Sequence, residues 1–165
     1  MLLAEFNAAD RDHGAVVLRP CLDIERWIDE ILTGRPYASA EDLLGRARSA
    51  AEPLTDDEVD RALAHHPRIG ERAPGSGAEA AMSQAEQGGV DRLDESVARA
   101  LRDGNEAYER RFDRVFLIRA AGRGPEEIVA ALRTRLDNPV EVEDRVVAEQ
   151  LREIAVLRLS RTVTA

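Results

Sequence analysis

The stretch Asp23–Leu32, "DIERWIDEIL", decides the fold class of this chain. Its apolar residues recur at the spacing of one helix face, at Ile24, Trp27, Ile28, Ile31 and Leu32. Such a pattern predicts an amphipathic α-helix with one buried side. The "GRPY" that follows is typical of a helix break. Outward from this stretch, in both directions, the chain repeats the same arrangement of helix and break.

Two further helices are predicted from their start signals. "SAED" at Ser39–Asp42 precedes "LLGRARSAAEPL", and "TDDE" at Thr55–Glu58 precedes "VDRALAHH". Both match the Ser/Thr-x-x-acid pattern, in which side chains at a helix start bind the first backbone N–H groups. Pro67 is expected to end the second of these helices, because the residue before a proline disfavours the α conformation. The Gly-rich "ERAPGSGAEA" that follows is expected to be a loop, and one function for it would be a lid over a site.

In the C-terminal half, apolar periodicity and helix-start residues predict three more helices. The long segment 91–121 is amphipathic, with an inner stripe at Leu93, Val97, Leu101, Tyr108, Phe112 and Phe116. "GRGPEEIVAALRTRL" starts with Gly-Pro and acidic residues, and the final segment starts with an Asn138 cap and Pro139 in the first turn. Its inner stripe is predicted at Val142, Val146, Leu151, Ile154 and Leu157. "VFLI" could be a strand, but no second β-like run exists to pair with it. We therefore predict one all-α, multi-helix domain over residues 1–165.

Composition excludes several classes of function. The net charge of −9 argues against nucleic acid or an anionic membrane as a partner, since both require clustered positive charge. All 23 basic residues are arginine, which excludes a lysine Schiff base, a pyridoxal-phosphate aldimine and a P-loop lysine. The single Cys21 permits no intrachain disulfide and is expected to be a small buried residue in a reducing compartment. The N-terminus is too acidic for a signal peptide and no apolar run approaches a membrane span, so we expect a cytoplasmic protein.

Two of the three histidines, His65 and His66, stand together before Pro67. Helix neighbours point about 100° apart, so the two side chains are not expected to face one pocket. His66 at a helix C-terminus could have a raised pKa and act as an acid or base, or it could simply cap carbonyl groups. No HExxH motif or second histidine cluster exists, so we expect no metal site.

Two other features each allow a structural and a functional interpretation. "SQAEQGG", Ser83 to Gly89, is either a capping box between Ser83 and Glu86 or a helix N-terminus that binds a polar anionic ligand. Arg158 lies between two leucines in the most apolar part of the last helix. Its guanidinium therefore requires an ion-pair partner, a path to solvent or a bound anion.

In order and spacing, these pieces resemble the family of 2-oxo-4-hydroxy-4-carboxy-5-ureidoimidazoline (OHCU) decarboxylases, which act in urate degradation. The resemblance runs from Phe6-Asn7 through "CLDIERWIDEILTGRPY", "HHPRIGE", "SQAEQ", "NEAYERRF", "FLIRAAGR" and "LREIAVLRL". The most specific part is the His-Pro pair followed by Ser-x-x-Glu-Gln. Departures occur after Phe112, where Asp113 and Arg114 replace a common Gly-aromatic pair, and at "RPCLD", where relatives carry a Ser-Cys-Cys-like stretch.

The resemblance implies roles for particular residues. His66 would be the catalytic histidine and Glu86 its acidic partner, whereas His65 does not occupy the catalytic position. Arg158 would bind substrate from the last helix. The remaining positions expected to line the substrate site are Pro67, Ser83, Gln84, Ala85, Gln87, Ile118, Arg119, Ala120, Ala121 and Gly122. Of these, Ser83 and Gln87 would form hydrogen bonds and the segment 118–122 would contribute mainly backbone contacts.

The resemblance also implies an all-helical homodimer that converts OHCU to (S)-allantoin without a cofactor. Two alternatives are a helical relative that acts on another ureido or imidazoline compound, and a non-catalytic interaction module on the same scaffold. Loss of His66, Glu86 or Arg158 would favour the module, but all three are present.

Overall fold

The computed structural model describes residues 1–64, 66–69, 78, 81–82, 85 and 94–165. These residues contain eight helices: α1 Leu3–Ala8, α2 Arg11–Leu18, α3 Glu25–Thr33, α4 Ala40–Ser49, α5 Asp56–Leu63, α6 Glu95–Phe112, α7 Pro125–Leu136 and α8 Val140–Thr162. The described part of the chain has no strand, only an isolated parallel bridge between Leu2 and Thr164. The all-α prediction is confirmed.

Internal contacts group the chain into two compact units. The first unit comprises Met1–Ala62 with Leu151–Ala165, and the second comprises Leu63–Gln150. Each has its own buried apolar residues and is described by itself below. The single domain over residues 1–165 stays a prediction.

The α3 helix supplies much of the core of the first unit. Trp27, Ile28 and Ile31 are fully buried, as their spacing predicted. The indole Nε1 of Trp27 donates a 2.9 Å hydrogen bond to the carbonyl of Ala47, which joins α3 to α4. A buried indole needs such an acceptor, because an unsatisfied N–H group in the core is costly.

The predicted helix starts at Ser39 and Thr55 are confirmed. Ser39 Oγ accepts the backbone N–H of Asp42 at 3.1 Å. Thr55 Oγ1 accepts the N–H of Glu58 at 3.3 Å, and Glu58 Oε2 accepts the N–H of Thr55 at 2.8 Å. Glu58 also receives hydrogen bonds from Arg26 Nε and Nη2 at 3.0 and 2.7 Å. These donors lower the pKa of Glu58 to about 2, the Arg26 hydrogen bond being the largest cause.

The α6 helix is shorter than predicted. It ends at Phe112 because Asp113 adopts the left-handed conformation, with φ 53°, and residues 115–120 have no regular secondary structure. Phe116 therefore lies beyond the helix, although it is buried and packs edge-on against Tyr108 with 5.2 Å between ring centroids. The prediction that segment 91–121 is one helix was wrong after Phe112, since a non-helical chain can also place an apolar side chain in the core.

A buried polar network lies between α6, α7 and α8. Arg135 donates to Glu143 Oε1 through Nε at 2.8 Å and to the carbonyl of Leu117 through Nη1 at 2.6 Å. Tyr108 donates its hydroxyl to the same Glu143 oxygen, and Asn138 Nδ2 donates to Glu143 Oε2 at 2.8 Å. Burial, followed by the bond to Glu143, raises the pKa of Tyr108. The network fixes the start of α8 against α7 and against the non-helical segment that contains Leu117.

The start of α8 and part of its inner face differ from prediction by about one position, whereas Leu151 and Ile154 are buried as predicted. Pro139 precedes the helix, and its carbonyl accepts the N–H of Glu143 at 3.0 Å. Val147 is fully buried where Val146 was predicted, and Leu157 is only half-buried. Two charged residues, Glu143 and Arg158, occupy buried positions of this face, and an apolar periodicity does not count them. No helix in the described ranges is long and apolar enough to cross a membrane.

Candidate active site

His66 lies on irregular backbone just beyond α5. The helix ends at Leu63, earlier than predicted, and the backbone N–H of His66 donates to the carbonyl of Leu63 at 2.9 Å. The imidazole is half-buried, and its Nε2 atom is shielded from solvent. Pro67 is also half-buried. His66 is thus held at the end of a helix, as expected, with one ring nitrogen inside the protein.

The segment His66–Ile69 is fastened to α6. Arg68 forms a two-pronged ion pair with Glu109, with Nε 2.5 Å from Oε1 and Nη2 in contact with Oε2. One helical turn away on the same face, Asn105 Nδ2 donates to the carbonyl of Ile69 at 3.2 Å. The side chain of Ile69 is itself buried. Backbone, side chain and ion pair therefore all fix the residues that follow His66.

The segment Ile118–Gly122 forms the turn before α7. Ile118 and Ala120 are buried, Arg119 and Ala121 are half-buried, and Gly122 is exposed with φ 83°, which suits glycine. The backbone N–H of Arg119 donates to Gln150 Oε1 at 2.9 Å, and the carbonyl of Ala120 accepts the N–H of Arg123 at 3.0 Å. These backbone groups are occupied within the protein, which leaves fewer of the expected backbone contacts for a ligand.

The second unit brings these two segments onto one apolar cluster. Ile69, Ile118 and Ala120 belong to the same buried core, together with Leu101, Tyr108, Phe112, Phe116, Ile128, Val129 and Leu132. Ile69 is three residues from His66, whereas Ile118 and Ala120 are about fifty residues further along the chain. Tertiary packing therefore assembles two pieces that the sequence predicted to serve one site.

Arg158 belongs to the first unit and is almost fully buried, with 1% of its surface exposed. Its Nη1 donates to the carbonyl of Pro20 at 3.2 Å. The interpretation of Arg158 as a side chain that reaches solvent is therefore wrong. A buried guanidinium carries a fixed positive charge with up to five N–H donors, so this position favours a structural hydrogen-bonding role or the binding of an anion.

A family model described as OHCU decarboxylase matches residues 7–160. The chain belongs to the OHCU decarboxylase family. The match spans both compact units and includes the His66–Ile69 segment, the Ile118–Gly122 turn and Arg158.

Curated relatives agree with this membership. The chain is 28% identical over 162 residues to the 2-oxo-4-hydroxy-4-carboxy-5-ureidoimidazoline decarboxylase of Haloferax volcanii, a match that covers 97% of this chain and 95% of that protein. It is 25% identical to the uric acid degradation bifunctional protein of Bacillus sp. (strain TB-90), over 96% of this chain and 32% of that one.

Two solved structures share the fold. One is an OHCU decarboxylase crystallised in the presence of (S)-allantoin, with a TM-score of 0.68, 21% identity, and coverage of 93% of this chain and 97% of that chain. The other is an (S)-allantoin synthase, with a TM-score of 0.73, 16% identity, and coverage of 99% and 54%.

Part of the site predicted from the family resemblance lies outside the described residues: Ser83, Gln84, Glu86 and Gln87. Their roles, and the capping box between Ser83 and Glu86, stay predictions. Ala85 is described and is exposed. In the described ranges, no three His, Cys, Asp or Glu side chains come together in a way that could hold a metal ion.

Sequence reasoning missed the residues that support the candidate site. Asn105 and Glu109 hold the His66–Ile69 segment, and Gln150 holds the backbone of Arg119. A partial signal existed, because Asn105 and Glu109 are four residues apart within "NEAYERRF" and so share a helix face. Their partners lie about forty residues away in sequence, and nothing local indicates that pairing.

Proposed function

We propose that this chain decarboxylates OHCU to (S)-allantoin in urate degradation, without a cofactor. Membership in the OHCU decarboxylase family supports the reaction. The structural observation that carries the proposal is the packing of the His66–Ile69 and Ile118–Gly122 segments on one buried cluster. That arrangement places a half-buried imidazole on a fixed scaffold, as acid–base catalysis requires.

The chemistry of the substrate explains why no cofactor is needed. Decarboxylation breaks a carbon–carbon bond and leaves an electron pair that needs an acceptor. In OHCU the ring C=N lies next to the carbon that carries the carboxyl and hydroxyl groups, so the ring itself accepts the pair. The chain has no lysine for an imine with substrate or pyridoxal phosphate. The protein then has to orient the carboxylate out of the ring plane and deliver one proton to one face.

His66 is proposed to carry the proton transfers. Held by Glu86, it would assist at the hydroxyl and carboxylate groups and then protonate the enol-like intermediate. The half-buried position of His66 supports this role, because a side chain partly shielded from bulk water can still reach a bound ligand. Delivery of that proton to one face would give (S)-allantoin rather than a racemate.

Arg158 is proposed to bind polar oxygen atoms of the substrate, the role that the family resemblance implies for it. By the same resemblance, Ser83 and Gln87 are proposed to form hydrogen bonds with the substrate, and the segment Ile118–Gly122 to offer backbone contacts. The burial of the Arg158 guanidinium supports its assignment, because hydrogen bonds to a charged donor are stronger where water is excluded. Its bond to the Pro20 carbonyl fixes one arm of the side chain and so orients the others.

We also propose that the protein is a cytoplasmic homodimer. The family resemblance supports the dimer, and the single cysteine supports a reducing compartment such as the cytoplasm. Light scattering coupled to size-exclusion chromatography tests the dimer, which predicts twice the 18.2 kDa mass of the chain.

The decisive experiment follows the optical activity of the product. OHCU is generated in place from urate with urate oxidase and hydroxyisourate hydrolase, and this protein is then added. The proposal predicts rapid appearance of circular dichroism from (S)-allantoin. Slow, racemic allantoin at the spontaneous rate would reject the proposed substrate.

A histidine series then tests the mechanism. His66→Ala is expected to reduce kcat by about 10²- to 10⁴-fold, because a positioned acid–base group contributes that much. His13→Ala is the matched control, since His13 is exposed on α2 and should tolerate the change with full activity. A fully active His66→Ala would contradict the assignment, as would a folded His65→Ala variant that had lost activity.

A further inference from the structure

We propose that Asn105 is a positioning residue for His66: its buried side-chain amide holds the backbone that carries the imidazole. The inference rests on the proposed function for the identity of the reaction. It deepens that function by naming a residue on α6 that never has to touch the substrate.

The first step concerns the orientation of the Asn105 amide. Asn105 is buried, with 3% of its surface exposed, and its Nδ2 lies 3.2 Å from the carbonyl oxygen of Ile69. A carbonyl oxygen can only accept a hydrogen bond, so the NH₂ end of the amide must face Ile69. The Oδ1 atom faces the other way and has no hydrogen-bond partner among the described residues. Among the described residues, the hydrogen bond of this side chain is therefore the one it donates to Ile69.

The second step concerns what else fixes the segment. His66 is tied to the end of α5 by its own N–H, which donates to Leu63 at 2.9 Å. At the other end, the Arg68–Glu109 ion pair is partly solvated, with side-chain exposures of 37% and 25%. Exposed ion pairs hold geometry weakly, whereas a buried hydrogen bond holds it strongly because its loss leaves a desolvated carbonyl. Asn105 is the stronger of the two anchors on α6.

The third step links the anchor to catalysis. The backbone at His66–Ile69 is not helical, so no ladder of main-chain hydrogen bonds maintains its path. Loss of the Asn105 bond would leave the Ile69 carbonyl buried without its donor, and a small displacement of the segment would relieve this. Because His66 is only three residues away, the imidazole would move with it. A misplacement of about 1 Å can reduce a rate by about 10²-fold.

The experiment compares Asn105→Ala with Val129→Ala. Val129 is buried in the same core cluster but lies on α7 rather than on α6, so its truncation controls for loss of packing. Both variants are assayed well below their Tm. We expect Asn105→Ala to lower kcat by at least tenfold with KM changed less than threefold. Val129→Ala should keep kcat within about twofold.

A second readout needs no substrate. The chain has only three histidines, so the imidazole signals of ¹⁵N-histidine-labelled protein are few, and His66→Gln assigns the one of interest. In Asn105→Ala the His66 signal is expected to shift or split, while that of the exposed His13 stays in place. In Val129→Ala both signals should be unchanged.

A milder variant covers the case in which Asn105→Ala does not fold. Glu109→Gln removes the charge of the half-exposed second anchor and preserves its shape. It should lower kcat by about two- to fivefold and shift the His66 signal in the same direction. Unchanged kcat and an unchanged His66 signal in the folded variants would overturn the positioning role. If the wild-type protein fails to release (S)-allantoin, the proposed reaction fails, whereas the imidazole spectra still decide whether Asn105 positions His66.

Discussion

Glu58 in the first unit and Glu143 in the second unit are both buried carboxylates paired with an arginine. Glu58 is 7% exposed and shares its partner Arg26 with nearby carbonyl groups, whereas Glu143 is fully buried and serves three donor side chains. The Thr55-x-x-Glu58 pattern predicts the role of the first glutamate, because its capping partner Thr55 is only three residues away. Nothing near Glu143 indicates Tyr108 or Arg135 as its partner. The comparison shows two ways in which a carboxylate becomes buried. A local capping pattern positions Glu58, whereas contacts between distant segments position Glu143.

The strongest test of this comparison is Glu143→Ala. The variant leaves the Arg135 guanidinium buried without its carboxylate and removes the acceptor of the Tyr108 hydroxyl. We expect the free energy of unfolding to fall by about 3–5 kcal/mol, measured by urea denaturation followed by circular dichroism. Glu149→Ala, at an exposed position of the same helix, should change it by less than about 0.5 kcal/mol. Equal effects in the two variants would show that the network contributes nothing to stability.

A pH series with Glu58→Gln tests the other carboxylate. The folded-state pKa of Glu58, about 2, lies below its ordinary value of 4.5, so its stabilising effect is complete above pH 4.5 and is lost as the pH falls toward 2. At pH 7 we expect Glu58→Gln to lower the free energy of unfolding by about 2 kcal/mol. This difference between wild type and variant should disappear as the pH falls from 4.5 to 2. Asp60→Asn, exposed on the same helix, is the control. A difference in the free energy of unfolding that stays constant with pH would contradict the low pKa of Glu58.

The smallest expected effects come from two glycines in helix interiors. Gly45 on α4 is exposed, and an added methyl group would meet no atom within 4 Å, so Gly45→Ala should stabilise the protein by about 0.5–1 kcal/mol. At Gly104 on α6 the same methyl group would overlap Leu132 Cδ2, and Leu132 is buried in the core. Gly104→Ala should therefore destabilise by about 1–2 kcal/mol. Thermal unfolding measures whether each variant is more or less stable than wild type. If both variants are stabilised, helix propensity outweighs packing at Gly104.

Local patterns predicted the positions of the helices well. The faces of α3, the starts at Ser39 and Thr55, and Pro125 at the first turn of α7 all depend on residues within four positions of one another. The predictions failed where the outcome depended on distant contacts. Phe116 was assigned to the α6 stripe although the chain leaves the helix at Asp113, and the inner face of α8 was read without its charged members.

The features of the candidate site can also be separated into those that the sequence predicts and those that depend on distant contacts. The sequence by itself determined the all-α class and membership in the OHCU decarboxylase family, because residue type, periodicity and motif spacing can be read without the structure. The catalytic and substrate-binding residues stay predictions. Tertiary structure alone decided that Ile69 and Ile118 share one cluster, that Asn105 holds the backbone after His66, and that Arg135 is neutralised by Glu143. The physical reason is that burial and hydrogen bonding act through space. Their free energy depends on which atoms exclude water together, and residues far apart in sequence supply those atoms.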